Sequence, residues 1–119
     1  MVNRLNNRNV GMVGEDLAIG YIEKLGYKVL ERNIHFSRSC EIDIIALDKN
    51  TLVAIEVKTR RSTSCGTPLE AITKQKFNNI KTGLFSYLQT HSAYKKYRID
   101  AISVMLNTGE IEHLKNISL

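Results

Sequence analysis

The chain has 119 residues, of which 43% are hydrophobic, enough for one globular domain over residues 1–119 with a single core. It contains neither a signal-peptide pattern nor the run of about 20 apolar residues that a membrane helix requires. We therefore expect a cytoplasmic protein with no membrane partner. Cys40 and Cys65 lack a CxxC spacing, so we expect reduced thiols and no disulfide scaffold.

The formal net charge is +5, and the excess of positive charge is local. Between Val57 and Arg98 nine lysines and arginines face a single acid, Glu70. Such a segment suits a polyanionic partner, although a basic excess alone favours the simpler interpretation of a solvated surface that maintains solubility.

The first predicted element is a helix over Met12–Leu25, ended by Gly26 and preceded by a flexible segment, residues 1–10. Glu15 falls near the predicted helix start, where the dipole favours an acid. The positions predicted to face inward are Met12, Ala18, Ile19, Ile22 and Leu25.

Alternating apolar residues predict a first strand over Tyr27–Asn33, followed by a turn over His35–Ser39. Two further apolar runs, Ile42–Leu47 and Leu52–Val57, are separated by turn-forming Asp48, Lys49 and Asn50. This pattern predicts a β-hairpin.

The hairpin carries charged residues inside its apolar strands. Because side chains alternate across a sheet, Glu41 and Asp43 are predicted to share one face, as are Glu56 and Lys58. If the register makes these faces coincide, the carboxylates crowd together and a divalent cation can hold them. Oxygen ligands point to Mg²⁺ or Mn²⁺.

Residues 59–66 are polar and basic and are predicted to form a loop. Thr67–Glu70 matches a capping box, and Thr73 can cap a longer helix over Lys74–Thr90 that covers one face of the sheet. The apolar positions of this helix are Phe77, Ile80, Leu84, Phe85 and Leu88.

Two final strands are predicted over Tyr97–Leu106 and Ile111–Ile117. A helix between the Glu56 strand and the Tyr97 strand implies a crossover between parallel strands. Asp100 is predicted to be an edge acid facing solvent, or else a partner for a basic residue. The fold class is therefore α/β, a mixed central sheet flanked by helices in the order αβββαββ.

An acid, a hairpin turn and then Glu56, Val57 and Lys58 resemble the PD-(D/E)XK nuclease signature, with Asp43 in the aspartate position. More closely, GEDLAIGYIEKLGY, EIDIIALD, VAIEVKTRRS, GTPLEAIT and KQK resemble the YraN family of small bacterial proteins. That family is related in fold to Holliday-junction resolvases. The resemblance implies a restriction-endonuclease-like core.

It further implies that Asp43 and Glu56, with the Val57 carbonyl, bind a magnesium ion, and that Lys58 orients the attacking water. Glu15 matches the acid of the N-terminal helix and is expected to reach a water on the metal. The neighbouring acids should keep Lys58 protonated.

The supporting residues implied are Glu41 and Gln75, the latter at a position where relatives carry a helix glutamine. Cys40 stands where the family usually has glycine, so its side chain is expected to crowd the backbone or a substrate. The residues expected to contact nucleic-acid phosphates are Arg60, Arg61, Lys74 and Lys76.

These observations favour a metal-dependent endonuclease that cleaves branched or structured DNA. Cutting both strands of a junction requires two sites, which a homodimer would supply. A nucleic-acid-binding module that kept the fold without useful turnover is the alternative. An RNA-directed or ribosome-associated role follows from the same basic surface.

Overall fold

The computed structural model describes residues 7–61 and 72–118, with side chains from residue 9 onward. The described elements follow the predicted order αβββαββ. No helix in these ranges has both the length and the apolar character needed to cross a membrane. The elements are α1 (Asn7–Lys24), β1 (Lys28–Ser37), β2 (Cys40–Asp48), β3 (Thr51–Arg60), α2 (Lys74–Thr90), β4 (Lys96–Met105) and β5 (Ile111–Leu114).

The five strands form one sheet in the order β1-β2-β3-β4-β5. All neighbours are antiparallel except β3 and β4, which are parallel because α2 carries the chain back to the same end of the sheet. The predicted hairpin, the parallel pair and the mixed sheet are therefore confirmed.

The two helices cover opposite faces of the sheet. Along β3, Leu52 and Ala54 belong to the core cluster that contains the buried residues of α2. Val53 and Ile55 belong to the cluster that contains the buried residues of α1. Burial on both faces explains why β3 is apolar almost without interruption.

Helix α1 begins at Asn7 rather than at Met12. The segment over residues 1–10 that was predicted to be flexible is therefore helical from Asn7 onward, and residues 1–6 lie outside the described part of the chain. Val10 is buried. Glu15 consequently lies in the middle of the helix, so the expected benefit from the dipole at the helix start is absent.

The inward face of α1 is narrower than predicted. Ala18 and Ile22 are fully buried, one helical turn apart, and contact the sheet. Met12 and Leu25 were predicted to face inward but are 50% and 48% exposed.

Thr73 caps α2 as predicted, with its side-chain oxygen accepting a hydrogen bond from the Lys76 backbone N–H at 3.0 Å. The capping box proposed at Thr67–Glu70 lies outside the described residues. Phe77, Ile80 and Leu84 are buried against the sheet as expected. Phe85, the next residue after Leu84, is instead 39% exposed, because it lies on the flank of the helix.

Asp100 is fully buried, so the prediction of a solvent-facing edge acid was wrong, whereas the alternative, a partner for a basic residue, agrees with its ion pair to Arg98. Its strand lies between β3 and β5, so it is not an edge strand. Its carboxylate accepts hydrogen bonds from Arg98 Nε at 2.9 Å, His113 Nε2 at 2.8 Å and the Asn116 N–H at 2.9 Å. Burial alone would raise the pKa of Asp100, but these donors lower it below 3.8.

Helix α1 lies close against β3 at Gly14. A Cβ built there would lie 2.8 Å from Thr59 Cβ and 2.9 Å from Thr59 Cγ2, closer than carbon atoms pack. The absence of a side chain at Gly14 therefore sets the distance between α1 and β3. It also sets how far the adjacent Glu15 reaches over the sheet.

We expect Gly14→Ala to destabilise the fold, since overpacking costs about 1–3 kcal/mol and outweighs the gain of up to about 1 kcal/mol in helix propensity. Gly20→Ala is the matched control, because Gly20 is an exposed residue of the same helix with nothing within 4 Å of its added Cβ. It should stabilise the protein by about 0.5–1 kcal/mol. Urea unfolding of both variants measures the difference, and equal shifts would refute the close-approach argument.

Candidate active site

The paired region of β2 and β3 stops one residue before the acids. The last antiparallel pair toward this end is Ile44 with Ile55, so Asp43 and Glu56 would form the next pair. Instead, the Asp43 side chain enters the ladder, and its Oδ2 accepts a hydrogen bond from the Val57 N–H at 2.9 Å. The carboxylate thus satisfies a backbone donor that the ladder would otherwise leave unpaired.

A cleft of about 350 Å³ opens at this point, between the middle of α1, the ends of β2 and β3 and the start of α2. The structure brings together in it the four residues predicted to be catalytic, namely Glu15, Asp43, Glu56 and Lys58. The complete lining is Val10, Gly11, Glu15, Asp43, Glu56, Val57, Lys58, Thr59 and Lys76.

Asp43 and Glu56 form a close pair of acids. Burial, a hydrogen bond to Glu56 and repulsion from Glu56 raise the pKa of Asp43 to about 7, against the lowering effects of the Val57 N–H and Lys76. Near neutral pH the Asp43 carboxyl group therefore carries a proton for a substantial fraction of the time.

Lys76 supplies the positive charge nearest to Glu56. Its Nζ lies 3.2 Å from Glu56 Oε1, and the Glu56 side chain is only 4% exposed. Burial alone would lower the pKa of Lys76, but the attraction of Glu56 raises it. The lysine therefore stays protonated beside the acid pair.

The sequence interpretation assigned Lys76 only to phosphate contacts and gave the supporting role to Gln75. Gln75 is exposed and does not line the cleft. Lys76 lies four residues before the buried Ile80, which puts it on the inward face of α2. That spacing was the signal in the sequence that could have identified it.

The pKa of Lys58 is lowered, although the neighbouring acids alone would raise it. Burial is the largest cause, followed by repulsion from Lys76, and together they exceed the attraction of Glu56 and Asp43. The sequence alone could not predict that the pKa of Lys58 is lowered, because the shift depends on how closely Lys76 approaches from α2.

Glu15 brings a third carboxyl group to the cleft from α1. Its Oε1 is buried and, among the described residues, has no hydrogen-bond partner; the Arg32 Nε lies 3.6 Å away. Burial and the charge of Asp43 raise the pKa of Glu15.

Glu41 does not join the cluster, although it was predicted to share a face with Asp43. It points to solvent, where its carboxylate lies 3.6 Å from His35 Nε2. Ile42 and Ile44 pack into clusters on opposite faces of the sheet, so the regular alternation of β2 breaks at Asp43. That break separates the two acids.

Cys40 is buried beneath α2 and is not among the cleft residues. Its Sγ donates a hydrogen bond to the Asn79 carbonyl at 2.7 Å, and a Cβ on Gly83 would lie 2.9 Å from it. Of the two expectations for this side chain, crowding of the backbone or of a substrate, the structure shows it against the backbone of α2 and away from the cleft. A glycine in α2 makes the space for it.

The predicted phosphate contacts differ in accessibility. Arg60 is only 7% exposed, so it offers little surface to a phosphate, while Arg61 and Lys74 are exposed. Residues 62–71, which continue this segment, lie outside the described part of the chain.

Within residues 7–61 and 72–118, no group of three or more His, Cys, Asp or Glu side chains is arranged to hold a metal ion. The available set is thus the pair Asp43 and Glu56, with the Lys76 ammonium beside it. The backbone N–H of Val57 donates a hydrogen bond to Asp43, whereas the sequence interpretation gave Val57 a role through its carbonyl as a metal ligand.

A mixed five-stranded sheet between two helices, with acids and lysines where two central strands separate, defines a small α/β protein with a charged cleft. The sequence model of the family described as "Uncharacterised protein family UPF0102" matches residues 14–104. The chain belongs to this family, also called YraN.

Individual relatives match over nearly their whole lengths. A UPF0102 protein of Syntrophomonas wolfei is 41% identical, over 92% of this chain and 97% of its own. One from Clostridium botulinum is 46% identical, over 86% of this chain and 84% of its own. One from Trichlorobacter lovleyi is 40% identical, over 92% of this chain and 90% of its own.

The raised pKa of Asp43 predicts a pH-dependent stability. Between its unfolded value of 3.8 and its folded value of about 7, the folded protein holds a proton that the unfolded chain has lost. The free energy of unfolding should therefore fall as pH rises through this window, by on the order of 1–4 kcal/mol, and level off above it.

Asp43→Asn should remove this slope and make the metal-free protein more stable than wild type at pH 8. Denaturant unfolding from pH 4 to pH 8 tests the prediction. Glu41→Gln, an exposed acid of the same strand, should leave the wild-type slope intact. Parallel profiles for wild type and Asp43→Asn would contradict the assigned cause.

Proposed function

We propose that this protein is a metal-dependent nuclease of the PD-(D/E)XK type that hydrolyses phosphodiester bonds, with branched or structured DNA as the favoured substrate. The observation that carries the proposal is the position of Asp43. Its carboxylate lies where the β2–β3 ladder opens, in one cleft with Glu56 and Lys58. This is the arrangement that the nuclease signature in the sequence leads one to expect.

Mg²⁺ or Mn²⁺ fits the donor set through Asp43 and Glu56. Mg²⁺ commonly takes only one or two carboxylates and fills its remaining positions with waters and substrate phosphates. Burial and the adjoining Glu56 raise the pKa of Asp43, and a bound cation would favour its anionic form. When bound, such an ion would polarise the phosphate and acidify a water.

Lys58 is suited to a direct chemical task. Its lowered pKa increases the fraction of neutral amine, which can accept a proton from an attacking water. In its charged form the same group can stabilise negative charge on the reacting phosphate. Glu15 lines the same cleft with its carboxyl group and is suited to orienting a water there.

Nucleic acid would be held mainly by charge. Arg61 and Lys74 are exposed on either side of the segment 62–71, and Lys76 reaches the cleft itself. Contacts of this kind bind phosphates without reading sequence. A homodimer would supply the two sites needed to cut both strands of a junction.

A specific observation favours a second candidate, a nucleic-acid-binding module without turnover. Lys76 already neutralises Glu56 at 3.2 Å, and the described residues contain no three-acid metal cluster. A cleft in which Lys76 already neutralises the charge of Glu56 can bind a phosphate without supporting hydrolysis. RNA would suit this surface as well as DNA.

Cleavage assays distinguish the two candidates. Wild type should cut at least one of branched, duplex or single-stranded DNA or RNA in the presence of Mg²⁺ or Mn²⁺, and not in EDTA. Asp43→Asn and Glu56→Gln should each abolish cutting, because the amides keep the shape but lose the anionic ligand. Lys58→Ala should lower kcat at least about 100-fold with less effect on substrate binding.

Glu41→Gln is the matched control, since Glu41 lies outside the cleft, and it should cleave like wild type. Equal cleavage by all variants would reveal a contaminating nuclease or a misassigned site. Binding without cleavage on every substrate and either metal would favour the binding module.

The Lys76–Glu56 contact predicts competition between the lysine and a metal ion. Lys76→Met should raise the affinity for Mn²⁺ in the absence of nucleic acid at least about fivefold, since two unit charges 4 Å apart interact by about 1 kcal/mol even in water. Calorimetric titration at pH 8 measures it. Lys74→Met, an exposed lysine of the same helical turn, should leave Mn²⁺ affinity unchanged, and equal affinities in all three proteins would disprove the competition.

A further inference from the structure

One side of α2 carries a row of exposed residues that the cleft does not use. Lys74, Lys81 and Phe85 are spaced by seven and four residues, so they share one side of the helix. Helix α2 contains no acidic residue, and so nothing on it offsets the lysines.

At the far end of this row lies an exposed aromatic pair. Phe85 is 39% exposed and Tyr97, from the start of β4, is 47% exposed. Their ring centroids are 5.3 Å apart at an interplanar angle of 86°. Within the described ranges, these two are the only aromatic residues among the exposed large hydrophobic side chains.

Lysines surround the pair. Lys81 Nζ lies 5.9 Å from the centroid of the Phe85 ring, at the limit of a cation–π contact. Lys95 and Lys96, both exposed, immediately precede Tyr97. Aromatic rings that accept stacking, next to cations that accept phosphates, are the combination that binds single-stranded nucleic acid.

The row begins at the end of α2 that borders the cleft, where Lys76 is a lining residue. Lys74 is two residues from Lys76, whose ammonium contacts Glu56. From Lys74 to Phe85 the helix rises about 16 Å, at about 1.5 Å per residue.

We propose that Lys74, Lys81, Phe85 and Tyr97, with Lys95 and Lys96, form a binding track for a single-stranded segment of nucleic acid leading away from the cleft. The lysines contact phosphates, and the aromatic pair stacks on unpaired bases. The inference builds on the proposed function and narrows it to substrates with an unpaired segment next to the scissile bond. Bases within a duplex are already stacked and offer no free face.

Binding is tested without cleavage, by fluorescence anisotropy in EDTA with a labelled 12-nucleotide single strand and a blunt 12-base-pair duplex. Phe85→Leu and Tyr97→Leu keep apolar side chains but lose the ring. Each should weaken single-strand binding about 5- to 100-fold and change duplex binding less than about twofold. Phe85→Tyr and Tyr97→Phe should bind the single strand like wild type.

Two controls separate stacking from charge and from surface hydrophobicity. Leu17→Ala removes an exposed apolar residue of α1, on the opposite face of the sheet, and should leave both affinities unchanged. Lys81→Ala with Lys95→Ala should make the dependence of log Kd on log salt concentration shallower, whereas the aromatic variants should preserve it. A single strand with abasic sites should bind wild type and the leucine variants equally.

The proposal is overturned if the leucine variants bind the single strand like wild type, which would leave this surface to a protein partner. Equal losses for single strand and duplex would also overturn it. Because metal and hydrolysis play no part in the assay, stacking-dependent binding can be found even if every cleavage assay fails. Conversely, cleavage with no effect of these variants would refute only the track.

Discussion

The end of the β2–β3 pairing at Ile44 and Ile55 is the constraint on which the charged cleft depends. Because the ladder stops there, a side-chain carboxylate, that of Asp43, satisfies the Val57 N–H. This places the buried Asp43 carboxyl group against Glu56 and raises the pKa of Asp43 to about 7. The fold thus maintains an unfavourable charge arrangement that a proton, a lysine or a metal ion can relieve.

Distant parts of the chain complete this arrangement from both sides of the sheet. Gly14 lets α1 come close enough to β3 for Glu15 to reach the cleft, and α2 delivers Lys76 to Glu56 from the other face. The buried Asp100 differs, because Arg98 and His113 pair with it fully and its pKa is lowered. Satisfied acids stabilise structure, while unsatisfied acids in a cleft are available for chemistry.

The order of elements followed from the sequence because local patterns determine it. Two apolar runs around a turn predicted the hairpin, Thr73 predicted the start of α2, and a helix between two strands predicted the parallel pair. The convergence of Asp43 and Glu56 was also predictable, since one turn fixes the register of a hairpin. These features depend on residues that are close in the chain.

Only the tertiary structure decided which charges meet. From the sequence, Asp100 is expected to be an edge acid, but in the structure β5 pairs with its strand and the strand is not at an edge. Lys76 is expected to be a surface lysine, but in the structure α2 brings it into contact with Glu56. The pKa of Lys58 falls because burial and a lysine from another element outweigh the nearby acids. Periodicity assigns a side chain to a face, but the free energy of a charge depends on partners and desolvation contributed by distant segments.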